Sequence, residues 1–352
     1  MNVRALILGL LLALPGLPAL AQGFADMGRA VDGFALPRPG PFAFPADHGA
    51  HPEFRIEWWY LTASLTGPDG TPYGAQWTLF RTALAPGDGE GWSSPQLWMG
   101  HAAVTTPDRH LSAERLARGG IGQAGVTADP FSAWIYDWQM TGRAEPGADA
   151  LSALDLTARG DAFSYALSLE ATGPIVAQGD GGFSVKSAAG QASRYYSQPF
   201  YEVTGEVTIE GATIPVTGQA WLDREWSSQP LAPDQTGWDW FSLMFEDGSR
   251  LMGFRLRDAG EGFTSATWIA ADGTPTPMPP GALGLTPLRE ADVAGRSVPV
   301  EWRVELPGKG VDVTVTALNP TAWMETLVPY WEGPITITGS HAGRGYLEMT
   351  GY

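Results

Sequence analysis

The 352-residue chain contains no cysteine. Disulfide bonds, thiol catalysis and cysteine metal sites are therefore excluded, and a sizeable core has to stabilise the fold. Basic residues are also few: 21 lysines and arginines stand against 38 aspartates and glutamates, which gives a formal net charge of −17. This charge disfavours binding to nucleic acids or to anionic membrane surfaces.

Several catalytic and cofactor signatures are missing as well. The chain has no G-x-S-x-G motif, and neither Ser227 nor Ser228 has a histidine beside it. No glycine-rich phosphate loop opens a helical pattern, so we expect no nucleotide cofactor. His48, His51 and His110 have no third ligand at metal spacing, so we expect no metal and no other cofactor.

The one long apolar run lies at the amino terminus. Arg4 precedes an uncharged apolar stretch from Ala5 to Leu17, and Ala19-Leu20-Ala21 forms a small-residue cleavage site. The run is too short to span a bilayer, and no later segment has 18 uncharged apolar residues. Residues 1–21 are predicted to be a signal peptide cleaved near Ala21, so we expect a periplasmic or secreted protein without a membrane span.

What the chain does contain is typical of an all-β protein. It has 45 glycines, 29 prolines and 15 tryptophans, and short strand-like runs separated by turn residues. Residues 22–52 are rich in proline, glycine and phenylalanine and are predicted to be an extended lead-in. The only moderate helix candidate runs from Leu111 to Arg118.

Two parts of the chain resemble each other. The segment from Glu57 to Arg81 and the segment from Trp238 to Arg257 each contain an aromatic strand, a turn with glycine and a return strand that ends in arginine. This long period indicates a duplicated domain. We predict domains at residues 53–195 and 196–352.

The segment Gly218–Arg257 begins with an alternating strand. One face of this strand carries small and aliphatic residues, and the other carries Gln219, Trp221, Asp223 and Glu225. Two carboxylates beside a tryptophan-rich hairpin indicate the wall of an aromatic pocket.

That hairpin predicts a specific register. Asp247-Gly248 is a strong turn signal. If it forms a two-residue turn, Trp240 lies opposite Arg255 and Trp238 lies opposite Arg257.

Five segments carry a family resemblance. Trp221–Trp226, Trp238–Ser242, Glu57–Tyr60, Tyr330–Gly333 and Gly345–Tyr352 resemble the secreted AttH-like proteins. Those proteins are related to the hydroxyneurosporene synthases (carotenoid 1,2-hydratases) and to kievitone hydratase. The resemblance covers nearly the whole mature chain and implies two tandem lipocalin-like (calycin) antiparallel β-barrels.

The resemblance also implies a catalytic candidate. In the hydratases, an aspartate in the corresponding strand is thought to be the proton donor, and Asp223 matches it. Hydration of an alkene needs a proton donated to carbon, and a buried neutral carboxyl group can supply it. Glu225 is the second candidate. Trp221 and Arg224 depart from the hydratase pattern, which has tyrosine and histidine at these positions.

The alternative interpretation is structural. Asp223, Arg224 and Glu225 would then form ion pairs that close one end of a barrel. Glu57 is expected to pair with Arg81 on the returning strand, because buried carboxylates are usually paired.

Aromatic residues on these strands are expected to form the ligand site. His101 lies mid-strand among apolar residues and is more typical of a hydrogen-bonded core residue, although it is also placed to reach a pocket. The expected ligand-binding residues are Trp58, Tyr60, His101, Tyr196, Trp221, Trp226, Trp238 and Trp240.

Two functions fit these observations. One is a lyase-type or isomerase-type enzyme that uses Asp223 as the acid on a lipophilic, isoprenoid-like alkene. The other is a non-catalytic carrier of a lipid or pigment, a common role of lipocalin-like barrels. Both imply a hydrophobic small-molecule ligand, and the sequence leaves the choice open.

Overall fold

The computed structural model describes residues 31–352. The predicted signal peptide and the beginning of the lead-in lie outside the described residues. Strands account for 58% of the structure and helices for 3%, so the all-β prediction is confirmed. Within residues 31–352, three short 3-10 helices lie at Ala46–His48, Gly91–Ser93 and Pro307–Lys309.

The strands form two antiparallel sheets. The strands of the first sheet are β1 (Ile56–Thr66), β2 (Pro72–Ala83), β3 (Gln96–Thr105), β4 (His110–Arg118), β5 (Ala124–Ala128), β6 (Phe131–Ile135), β7 (Trp138–Gly142), β8 (Ala153–Arg159), β9 (Phe163–Ala171), β10 (Val176–Ala177), β11 (Phe183–Val185), β12 (Ala192–Ile209) and β13 (Ala212–Ser227). The strands of the second sheet are β14 (Gly237–Phe245), β15 (Arg250–Arg257), β16 (Phe263–Ile269), β17 (Pro275–Pro277), β18 (Gly284–Val293), β19 (Arg296–Leu306), β20 (Val311–Ala317), β21 (Trp323–Met324), β22 (Tyr330–Gly339) and β23 (Gly343–Met349).

Each sheet curves around its own core. The first sheet has the order β4-β3-β2-β1-β13-β12-β9-β8-β7-β6-β5, with β10 and β11 on β12, and nearly closes into a barrel. The second has the order β17-β16-β15-β14-β23-β22-β20-β19-β18, with β21 on β22, and forms a half-barrel. The prediction of two tandem antiparallel barrel domains is thus confirmed.

Large apolar side chains fill the interior of both sheets. Trp59, Trp77 and Trp138 are fully buried inside the first, and Trp302 and Trp331 inside the second. A third apolar cluster joins the outer faces of the two sheets. Strand residues alternate between the two faces of a sheet. The residues at this junction are therefore sequence neighbours of residues that point into the cores.

The chain passes from the first sheet to the second between Ser227 and Gly237. The boundary expected at residues 195 and 196 therefore falls inside β12, which pairs with β13 along nearly its whole length. β12 and β13 both belong to the first sheet, so this sheet extends beyond the predicted boundary to Ser227.

The helix predicted from Leu111 to Arg118 is wrong, because this segment is β4. Every residue of β4 pairs with β3, from Leu97 opposite Arg118 to Thr105 opposite His110. The segment contains good helix formers, but its pairing with β3 determines its structure, because tertiary contacts override a weak local preference for helix.

The predicted hairpin register is wrong by one residue. Trp240 lies opposite Phe254, and Arg255 lies opposite Asp239. The loop has three residues, because the Phe245 N–H donates to the Ser249 carbonyl at 3.0 Å. Gly248 adopts a φ of +90°, a conformation that costs glycine little.

Candidate functional site

The junction between the sheets holds a small cavity of about 70 Å³ that opens to solvent. We call it the junction cavity. It is lined by Trp58, Tyr60, Phe80, Lys186, Asp223, Glu225, Pro230, Leu231, Trp238, Trp240, Phe254, Leu256 and Glu348. Most of this lining is aromatic or aliphatic, and both sheets contribute to it.

Strand alternation places the acidic residues here. Ala220 and Leu222 of β13 point into the core of the first barrel, as the sequence pattern predicted, and Trp221 and Asp223 point to the junction. Asp223 lies opposite Tyr60 on β1.

Three side chains hold the Asp223 carboxyl group. The Tyr195 hydroxyl donates to Oδ2 at 2.6 Å, and the Trp221 indole N–H donates to Oδ1 at 2.6 Å. The Ser197 hydroxyl also donates to Oδ1. Burial raises the pKa of Asp223 to about 7, against the opposing effect of these hydrogen bonds.

The two oxygens of Asp223 differ in what they can do. Because an indole nitrogen can only donate, Oδ1 has to accept from Trp221 and acts as the carbonyl oxygen. The proton of the neutral acid therefore belongs on Oδ2, beside Tyr195. The Tyr195 hydroxyl in turn accepts from the Trp240 indole N–H at 3.2 Å, so aromatic residues of both sheets hold the acid.

Asp223 makes no ion pair within residues 31–352. Arg224, its expected partner in the structural interpretation, turns to the other face of β13 and pairs with Glu57. Arg81 pairs with the same carboxylate, as predicted from the sequence. Burial alone would raise the pKa of Glu57, but Arg224 and Arg81 outweigh burial and hold this pKa well below its usual range.

Glu225 has different surroundings from Asp223. The Lys186 Nζ lies 2.7 Å from its Oε1, and the Ser193 hydroxyl donates to the same oxygen. Lys186 Nζ also lies 4.3 Å from the centre of the Phe254 ring. Glu225 is therefore an ion-paired carboxylate at the cavity wall, whereas Asp223 is a carboxyl group without an ion pair.

A further carboxyl group lines the cavity from the second sheet. Glu348 of β23 accepts a hydrogen bond from the Trp238 indole N–H at 3.1 Å. It lies opposite Trp240 on one neighbouring strand and opposite Glu332 on the other. Burial raises the pKa of Glu348 well above its usual value, and Glu332 raises it further.

A second cavity of about 260 Å³ adjoins the first, and we call it the outer cavity. Its lining residues are Arg55, Ile56, Phe80, Thr82, Leu97, Trp98, Met99, His101, Leu116, Trp238, Leu327, Val328, Tyr330 and Glu348. Phe80, Trp238 and Glu348 line both cavities.

Trp238 and His101 are the predicted residues that line the outer cavity, and His101 lines only this one. Its Nδ1 lies 2.9 Å from the Tyr330 hydroxyl, and its Nε2 lies 3.1 Å from Glu114 Oε1. Burial lowers the pKa of His101 and outweighs the opposing effect of Glu114. The imidazole is a buried, hydrogen-bonded group that also borders a pocket.

The other predicted aromatic residues divide between two places. Trp58, Tyr60, Trp238 and Trp240 line the junction cavity, and Trp221 lies behind it as a donor to Asp223.

Tyr196 and Trp226 line neither cavity. Each sits one residue from a junction residue, so alternation turns it to the interior of the barrel. There Tyr196 contacts His48 Nδ1 at 2.7 Å, and Trp226 stacks on His51 with ring centres 3.9 Å apart.

Sequence reasoning missed Lys186, Glu348 and the donors Tyr195 and Ser197. The last two lie in the run Ser193-Arg-Tyr-Tyr-Ser197, which pairs with β13 directly beside Asp223. Their position beside Asp223 depends on this pairing, which the sequence alone did not predict. Glu348 lies within the motif Gly345–Tyr352, although nothing in that motif alone indicates a cavity.

Across residues 31–352, no three histidine, aspartate or glutamate side chains are grouped closely enough to hold a metal ion. None of the helices in that range is long and apolar enough to cross a membrane.

Comparison with known proteins identifies the family. A sequence model of the AttH-like family matches residues 35–352. The chain belongs to the AttH-like family. No curated protein matches this AttH-like chain in sequence.

Three solved structures resemble the AttH-like chain. An AttH candidate from Nitrosomonas europaea is 35% identical, with a TM-score of 0.79, and the match covers 91% of this chain and 100% of that one. Kievitone hydratase from Nectria haematococca is 16% identical, with a TM-score of 0.64 and coverage of 90% and 98%. CghA, solved with Sch210972, is 12% identical, with a TM-score of 0.54 and coverage of 94% and 97%. At these identities the last two show a shared fold.

Proposed function

We propose that this AttH-like protein binds an apolar alkene in the junction cavity and protonates it from Asp223, as a hydratase-like lyase or an isomerase. One observation carries the proposal: a fully buried carboxyl group without an ion pair faces an aromatic cavity. Its pKa of about 7 leaves a large neutral fraction at neutral pH and makes it an acid of useful strength.

The walls of the cavity suit the chemistry that follows. Protonation of an alkene carbon by Asp223 Oδ2 leaves a carbocation and the Asp223 carboxylate. The rings of Trp58, Tyr60 and Trp240 border the cavity, and each aromatic face stabilises a nearby cation by about 0.5–2 kcal/mol. Addition of water to the cation gives hydration, and loss of a different proton gives isomerisation.

The lining also indicates the class of ligand. Apolar residues dominate both cavities, and the polar groups are concentrated around Asp223, Glu225 and Glu348. We propose an elongated, largely apolar molecule whose reactive end lies in the junction cavity and whose chain extends into the outer cavity. The fold shared with kievitone hydratase is consistent with this proposal.

A carrier function is the alternative, and one observation favours it. Both oxygens of Asp223 already have donors, as in a carboxyl group with a structural role. A carrier would bind the same ligand and leave it unchanged.

The deciding experiment measures protonation directly. The protein is incubated in ²H₂O with isoprenoid alkenes from citronellol to squalene, and deuterium on carbon is measured by mass spectrometry. We expect incorporation by the wild type, loss of it in Asp223→Asn, and no change in Asp161→Asn, an exposed aspartate in the β8–β9 turn. Binding of these alkenes without incorporation by the wild type would support the carrier instead.

We also propose that the protein is exported, on the basis of the amino-terminal sequence pattern. Cell fractionation and amino-terminal sequencing test this. An intact terminus at Met1 in a cytoplasmic fraction would contradict export.

A further inference from the structure

Glu348 lines the same junction cavity as Asp223 but comes from the other sheet. Asp223 comes from β13 of the first sheet, and Glu348 comes from β23 of the second. Part of Glu348 remains accessible, and one of its oxygens is held by the Trp238 indole N–H. The proposed protonation step gives this residue no role.

Hydration needs a second group besides the acid. When water adds to the carbocation, its oxygen forms a C–O bond and a proton has to leave that oxygen. At that moment Asp223 is a carboxylate and lies on the side of the first sheet. A water molecule on the opposite side of the ligand therefore needs a different proton acceptor. Glu348 and the ion-paired Glu225 are the other carboxyl groups that line the cavity, and only Glu348 lies on the second sheet.

We propose that Glu348 is the general base that accepts this proton, so that water adds from the second-sheet side. The proposal rests on the function proposed above. In balance, Asp223 Oδ2 gives H⁺ to carbon, water forms the C–O bond, and Glu348 takes H⁺ from that water. Because burial raises the pKa of Glu348, this step uses the molecules in which Glu348 is ionised while Asp223 is still protonated. Transfer of H⁺ from Glu348 back to Asp223 through solvent completes the cycle, and no oxidant or reductant is needed.

The neighbours of Glu348 suit proton transfer. Glu332 lies directly opposite it on β22, and the hydroxyls of Tyr60 and Tyr330 flank Glu332. Burial raises the pKa of Glu332 to about 8 despite these hydroxyls. Two adjacent buried carboxyl groups resist carrying two charges, so a proton is readily shared between them.

A line of polar contacts leads from Tyr330 to the surface. Tyr330 contacts His101 at 2.9 Å, and His101 contacts Glu114 at 3.1 Å. The Glu114 side chain is 22% exposed and therefore reaches solvent. Neither oxygen of Glu332 makes a hydrogen bond within residues 31–352, so the line begins at Tyr330 and not at the carboxyl pair.

The test separates protonation from water addition. In ²H₂O, the wild type is expected to produce a deuterated hydration product and deuterium in the recovered alkene. In Glu348→Gln, deuterium should still enter the recovered alkene, because the cation forms and reverts. The ratio of hydration product to deuterated alkene should fall about 100-fold, within the range for loss of a general base.

Two further variants serve as controls. Glu348→Asp retains a carboxylate and should recover part of the ratio, and Glu246→Gln, an exposed residue in the β14–β15 turn, should leave the ratio unchanged. An unchanged ratio in Glu348→Gln, or a proportional loss of both products, would overturn the role of Glu348 while leaving Asp223 as the acid. Absence of deuterium from both products in the wild type would overturn the two proposals together.

Discussion

Asparagine is a close mimic of the neutral form of Asp223. The amide oxygen can accept from Trp221 and Ser197 in place of Oδ1, and the amide nitrogen can donate to Tyr195 once the Tyr195 hydroxyl turns from donor to acceptor. The hydrogen bonds around this position are therefore compatible with a side chain that never ionises.

This mimicry predicts a pH-dependent effect on stability. The pKa of Asp223 is about 7 in the folded state and 3.8 for the exposed group, so the folded state binds more protons between these values. The wild type loses stability as pH rises through this window, on the order of 4 kcal/mol in total. Asp223→Asn has no such loss, so its melting temperature relative to wild type should rise from pH 5 to pH 8. A relative melting temperature that stays constant over this range would mean that Asp223 is already an anion in the folded state at pH 5.

The same group predicts the pH profile of the reaction. Only protonated Asp223 can donate, so the rate of deuterium incorporation at low alkene concentration should be highest below pH 7. It should decline with an apparent pKa of about 7, which reports the free protein. Initial rates between pH 5.5 and 9 measure this, and an increasing rate across that range would exclude Asp223 as the acid.

Glu57, unlike Asp223, is a buried carboxylate that forms ion pairs. It is fully buried, and both Arg81 and Arg224 depend on it for charge compensation. Removing one member of a buried ion pair typically costs 3–5 kcal/mol. We expect Glu57→Gln to lose roughly this amount in denaturant unfolding, and the exposed Glu246→Gln to lose almost nothing. Stability equal to wild type would mean that the two arginines find other partners.

At the scale of elements, alternation in β13 was predictable from the sequence and the pairing of strands was not. The residues of β13 that face the junction were identified correctly because a period of two is a local property. The hairpin register failed because the loop has three residues instead of two, and a slip of one residue exchanges the faces.

The same limit explains the residues that were misplaced or missed. Tyr196 and Trp226 are aromatic and lie beside site residues in sequence, but they face the barrel interior. Lys186 reaches the cavity from a connection between strands, and Glu348 reaches it because β23 pairs with β14. These placements depend on contacts between distant parts of the chain, which composition and periodicity do not contain.

The proposal that the apolar chain of the ligand extends into the outer cavity gives a prediction about β3. Met99 of β3 lines the outer cavity, and a tryptophan there would fill space that the ligand chain would use. Met99→Trp should weaken squalene binding at least about tenfold, roughly 1.4 kcal/mol, and leave citronellol binding unchanged. Intrinsic tryptophan fluorescence measures both, and the exposed Leu84→Trp is the matched control. Equal losses for both alkenes would place the chain elsewhere.

At the scale of the whole molecule, the site belongs to neither sheet alone. The acid and its donors Tyr195 and Ser197 come from the first sheet, whereas Trp240 and Glu348 come from the second. The third apolar cluster, which lies at the junction, buries side chains of both sheets against each other. A cavity built in this way requires the two sheets to remain in fixed contact.

Trp240 tests whether the two sheets unfold as one unit. Its ring lies 5.3 Å from Tyr60 and 6.5 Å from Trp221, both on the first sheet, and it is 7% exposed. Trp240→Ala should cost about 3–5 kcal/mol, because it leaves a large gap at the junction. If the junction couples the sheets, fluorescence and circular dichroism should still report one coincident guanidinium transition, shifted to lower denaturant. Trp92→Ala, at a position that is 72% exposed, should leave the transition unchanged. Two separate transitions in the wild type would contradict the coupling, because the half-barrel would then unfold without disturbing the barrel that carries Asp223.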